Sequence, residues 1–135
     1  MSAFQLINPP GLYDPAPNGY SHLALVAPGT RLLLVSGQGG EDAQGDLPEG
    51  FEPQLRQALD NVVTALHACG AKPTDVARLL VLVVDHDEGK LEAFGRALSR
   101  HWDDAMKPAC TLVPVPRLAL DGMLIEIEAT AAIAA

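Results

Sequence analysis

A chain of 135 residues, 48% hydrophobic and 19% charged, has the size and apolar content of one compact domain, which excludes a disordered segment or a multidomain assembly. Nine Lys and Arg against 17 Asp and Glu leave a net charge of -8, and the basic residues are scattered, so attraction to nucleic acid or an anionic membrane is not expected. No apolar run approaches the roughly 18 residues that cross a bilayer, and residues 1–10 lack the basic start and long apolar stretch of a secretory signal.

Residues 1–19 are punctuated by Pro9, Pro10, Gly11, Pro15, Pro17 and Gly19 and read as an irregular arm with one short edge strand at residues 4–7. Two β-prone runs follow, 22–26 and 31–36, separated by Ala27-Pro28-Gly29-Thr30, a hairpin-length turn. The second contains Leu32-Leu33-Leu34-Val35, an unbroken apolar run that suits a central strand covered on both faces. A polar, glycine-rich loop then extends to Gly50. Residues 51–69 carry Leu55, Leu59, Val62, Val63 and Leu66 at helical spacing. Gln54, Arg56, Gln57, Asp60 and Asn61 fall on the other face, Pro53 on the first turn and Gly70 at the stop.

Residues 76–84 are too apolar and β-branched for a surface helix and read as a second central strand. A second amphipathic helix spans 90–102, its stripe made of Leu91, Phe94, Leu98 and Trp102. Strands at 109–115 and 123–130 close the chain. Pro114 and Pro116 prevent the first from being fully paired in a sheet centre. In the second, Ile125, Ile127 and Ala129 alternate with Leu124, Glu126 and Glu128. The order predicts an α+β domain, two helices on one face of a mixed sheet. The opposite face also carries apolar runs, so an oligomer is expected to cover it.

Strong catalytic motifs are absent. Val35-Ser36-Gly37-Gln38-Gly39-Gly40 follows a strand but lacks dinucleotide-loop spacing and leads into a loop instead of a helix. Its glycines read as a close backbone approach. Asp85-His86-Asp87 reads as a solvated turn instead of a metal or acid–base site, and no third ligand accompanies it. Cys69 and Cys110 form no C-x-x-C pair, so the expectation is reduced thiols, no metal and a cytoplasmic setting. Cys110 reads as a strand filler, not a nucleophile, since no base is paired with it in sequence. Glu126 and Glu128 stand about 7 Å apart on one strand face, a spacing at which two carboxyls can share acid–base work.

Val35-Ser36-Gly37-Gln38, Leu59-Asp60-Asn61, Gly70, Pro108-Ala109 and Leu124-Ile125-Glu126-Ile127-Glu128-Ala129-Thr130-Ala131 together resemble the RidA/YjgF family, also described as endoribonuclease L-PSP-like. The resemblance runs from Tyr20 to Ala131. It implies a chorismate-mutase-like fold, a homotrimer with ligand clefts between subunits, and cofactor-free hydrolysis of enamines or imines to keto compounds and ammonia. It assigns water activation and proton transfer to Glu126 and substrate contacts to Tyr20, Ser36 and Gly37. The family's Pro-Ala-Arg-Ser, whose arginine grips the substrate carboxylate bidentately, reads Pro108-Ala109-Cys110-Thr111 here, which leaves Cys110 and Thr111 at the substrate, and Arg117 matches a different position. A lost charged contact of that kind costs about 2–5 kcal/mol. The resemblance therefore implies a divergent subgroup with weak activity on the smallest 2-imino acids. A non-catalytic ligand-binding or protein-protective trimer is the alternative. The net charge opposes the endoribonuclease role.

Overall fold

The computed structural model describes residues 2–135; Met1 lies outside them. A two-stranded antiparallel sheet pairs β1 (Phe4–Ile7) with β2 (Leu23–Val26). A four-stranded mixed sheet has the order β3 (Arg31–Gln38), β6 (Ile125–Ile133), β4 (Val76–Val84), β5 (Ala109–Val115). Only the β4–β5 pair is parallel, and α2 (Glu88–Trp102) makes that crossover. Helices α1 (Phe51–Ala68) and α2 pack on one face, giving the α+β domain expected from the order of elements.

Alternation places the core. Leu79, Val81 and Val83 of β4 and Ile125, Ile127, Ala129 and Ala131 of β6 are buried beneath Leu55, Leu59, Val62 and Leu66 of α1 and Phe94, Leu98 and Trp102 of α2. From Arg78 on in β4, and along β6, the even-numbered residues turn to the opposite, open face, as the register requires. Strands β4 and β6 lie in the middle of the sheet because both are paired on two sides. Proline-bearing β5 lies at its edge, beside the Ser21–Ala109 bridge.

Several expectations are corrected. Residues 22–26 do not form a hairpin with 31–36. The strand pairs instead with β1, through Phe4–Val26 to Ile7–Leu23, because a four-residue turn fixes a reversal but not the partner. Leu32–Val35 is an edge strand, not a central one. Leu33 and Val35 pack towards α1, whereas Leu32 and Leu34 are 55% and 77% exposed on the open face. An edge strand reads as central when its outer face is apolar too. The second helix starts at Glu88 instead of residue 90, because the Asp87 side chain accepts the Lys90 N–H at 2.8 Å and caps it. That places Asp87 of the Asp85-His86-Asp87 run in a structural role. The last strand runs to Ile133.

Gln54 departs most from its helical-wheel position. It is 2% exposed. Its Nε2 donates to the carbonyls of Pro48 and Gly122, and its Oε1 accepts from the Leu124 N–H at 2.8 Å. One buried amide therefore ties the first turn of α1 to the preceding loop and to the entry of β6. Asn61, two turns further along the helix, donates to the carbonyls of Gly39 and Glu41 and holds the loop that leaves β3.

Candidate functional site

The chemistry-bearing residues form two groups. In the first, β3 carries a bulge. Val35 faces Ala129 and Gln38 faces Ile127, so Ser36 and Gly37 together span one residue of β6. The bulge brings Gly37 against Glu126. A Cβ built at Gly37 would stand 2.4 Å from Glu126 Oε1 and 2.7 Å from its Cγ and Cδ. The constraint at Gly37 is the space taken by the Glu126 side chain, not backbone conformation, since its φ lies outside the left-handed region. Glu126 is half-buried on the open face, in no ion pair among the described residues. Glu128, two residues on, is exposed. The two carboxyls thus have unequal surroundings, and Glu126 is the one seated in a formed niche.

The second group surrounds the start of β5. Tyr13, Tyr20 and His22 stack edge to face, with ring centroids 5.2–6.4 Å apart. The two phenols share a hydrogen bond. His22 Nε2 lies 2.7 Å from the Tyr13 carbonyl; a carbonyl can only accept, so Nε2 is the donor. The bond to Tyr13, with burial and nearby charge, pushes the Tyr20 phenol up to about 12. Cys110 packs on the helix side with its register partner Leu79. Burial raises its thiol from 9.0 to about 12, against the pull of the Arg78 guanidinium. Thr111, next along, turns to the open face and is exposed.

A thiol in this state is a poor nucleophile. Iodoacetamide at pH 8 is expected to label exposed Cys69 readily and Cys110 about a thousandfold more slowly than an ordinary thiol. Peptide mapping of the labelled native protein would check this. Comparable labelling of both cysteines would show that Cys110 is reactive. Because the folded-state pKa is raised, this thiol stabilises the fold below pH 9 and loses that contribution as pH climbs towards 12.

Within one chain the two groups do not meet. Cys110 aligns with Leu79 and Ala129, two strand spacings from β6, and Glu126 lies three residues farther along. The separation is about 10 Å across and about 10 Å along the sheet. Cys110 and Glu126 also point to opposite faces. Tyr20, Cys110 and Arg78 therefore form one cluster, and Ser36, Gly37 and Glu126 another. Arg78 belongs to no motif in the sequence. Its one available signal was its place at the start of a strand otherwise entirely apolar from Leu79 to Val84.

Residues 13–133 match the family described as Endoribonuclease L-PSP. The chain belongs to the RidA/YjgF family. A curated relative, the 2-iminobutanoate/2-iminopropanoate deaminase of Escherichia coli (strain K12), is 36% identical over 103 residues, covering 74% of this chain and 78% of the relative. Among solved structures of RidA-family proteins, YyfB from Yersinia pestis, described as a protein of unknown function of the Rid family, superposes with a TM-score of 0.91. It is 34% identical, and the match covers 97% of this chain and 99% of that one. The E. coli YjgF gene product is 35% identical, with a TM-score of 0.66 over 78% of this chain and 83% of its own. At nearly equal identity, the backbone follows the Yersinia protein more closely. Among the described residues, no helix is long and apolar enough to cross a membrane, and no group of side chains is arranged to hold a metal ion.

Proposed function

We propose that this RidA-family chain assembles as a cytoplasmic homotrimer and hydrolyses an imine or enamine metabolite without a cofactor, in clefts between subunits. The observation that carries the reading is the Glu126 carboxylate, half-buried over Gly37 and in no ion pair among the described residues. A carboxylate held in that way can orient a water molecule and relay its proton. The water oxygen adds to the imine carbon as Glu126 takes its proton. That proton passes to nitrogen to give a carbinolamine, and Glu126 then moves the hydroxyl proton to nitrogen as the C–N bond breaks, leaving a carbonyl and ammonia. The 36% identical deaminase supports the same reaction class.

Two further features support the assembly. The open face carries Leu32, Leu34 and Val113 exposed, an apolar surface of the kind subunits cover. The split site gains a reason as well, because a cleft between neighbours can unite the Tyr20–Cys110 cluster of one subunit with the Ser36–Gly37–Glu126 cluster of another. The net charge of -8 works against an RNA substrate, whatever the family's description.

The test supplies imines in situ, from serine or threonine with a pyridoxal-phosphate dehydratase and from larger amino acids with an amino-acid oxidase, and follows ammonia release. The expected result is acceleration on at least one imine, lost by about 100-fold or more in Glu126→Gln, with the serine-derived imine a slow substrate because Cys110 stands where the family places arginine. No acceleration on any imine, or full activity in Glu126→Gln, would overturn the proposal.

A further inference from the structure

A pocket of about 470 Å³ opens between β2 and the beginnings of β4 and β5, lined by His22, Val26, Arg78, Cys110, Thr111 and Thr130 among others. Its position follows from register. Arg78 pairs with Ala109 on one side and Thr130 on the other, and a bulge at the start of β4 breaks the regular alternation just before it. No carboxylate lines this pocket. The larger cleft along α2, by contrast, carries Glu88, Glu92 and Asp104. Arg78 takes part in no ion pair among the described residues, whereas Arg96 and Arg117 are matched with Glu52 and Asp121.

An arginine in a concave site, surrounded by hydroxyls and an imidazole and without an acidic partner in a strongly acidic chain, is a ready receptor for a small anion. We propose that Arg78 is the anion anchor of this protein and that the pocket between β2 and β5 binds the carboxylate of a small organic acid. The inference rests on the deaminase reading for its choice of ligand class. It adds that the charge missing at Cys110 is supplied from the adjacent strand. A guanidinium fits a carboxylate bidentately, and the Thr111 and Thr130 hydroxyls have donors to spare for its remaining lone pairs. The anchor stands one strand, about 5 Å, from the position of Cys110, so the acids it favours differ in length or shape from the smallest 2-imino acids. Arg78 is thus a specificity-determining residue.

The test measures ligand-induced thermal shifts of the intact protein with 2-oxobutanoate, 2-oxopentanoate, succinate and benzoate, each beside its uncharged amide. At least one carboxylate is expected to raise the melting temperature in a saturable way where its amide does not. Arg78→Gln is expected to weaken that carboxylate's apparent Kd by about 10-fold or more, and Arg78→Lys to retain part of the affinity. Glu126→Gln should lose turnover and keep the carboxylate shift, which separates failure of the anchor from failure of the deaminase reading. Equal shifts from acids and amides, no shift from any acid, or undiminished binding in a folded Arg78→Gln protein would each overturn the assignment.

Discussion

Gly37→Ala is expected to fold normally and lose about 100-fold in turnover, the cost of misplacing a reacting group by about 1 Å. The added methyl would fall within 2.7 Å of three atoms of the Glu126 side chain, and that side chain, not the backbone, is what can give way. The main chain itself has no objection, because Gly37 lies outside the left-handed region. The melting temperature should therefore barely change while activity on the imine panel collapses. A variant that loses both together would mean that the bulge, not the carboxylate, is what the glycine protects. A variant that loses neither would remove Glu126 from the reaction.

Gln54→Ala is expected to cost about 3 kcal/mol of stability, roughly 10 °C in melting temperature for a domain of this size. Truncation strands the Leu124 N–H and the carbonyls of Pro48 and Gly122 in a buried place. Buried polar groups without partners carry the full penalty of desolvation. Glu at the same position keeps an acceptor for Leu124 but turns a carboxylate towards two carbonyls, and should fare no better. Thermal or urea denaturation measures the loss. A change under about 1 kcal/mol would show that water replaces the amide at little cost.

The sequence made much of the scaffold readable, because the elements that form the core bury one face and expose the other. The 3.6-residue stripe of α1 and the two-residue alternation of β6 are direct records of that burial. What escaped were relations between distant elements. The turn at residues 27–30 marks a reversal, but whether β2 pairs with β1 or β3 depends on where the arm lies. Leu32 to Val35 read as central because periodicity cannot distinguish a residue buried in its own fold from one left facing outward. Gln54 looked like a surface residue because its partners lie up to 70 positions away. The family motifs located Glu126 and Gly37, and the register brings them into contact. Arg78 became visible only when parallel pairing set it beside Ala109.

The opposite orientations of Cys110 and Glu126 carry a genetic consequence for the proposed assembly. Each cleft there would borrow one half from each of two neighbours. A chain crippled in the Tyr20–Cys110 cluster and a chain crippled at Glu126, each defective by itself, would restore some intact clefts when mixed in one oligomer. Complementation between defective alleles is thus written into the alternating geometry of two β-strands.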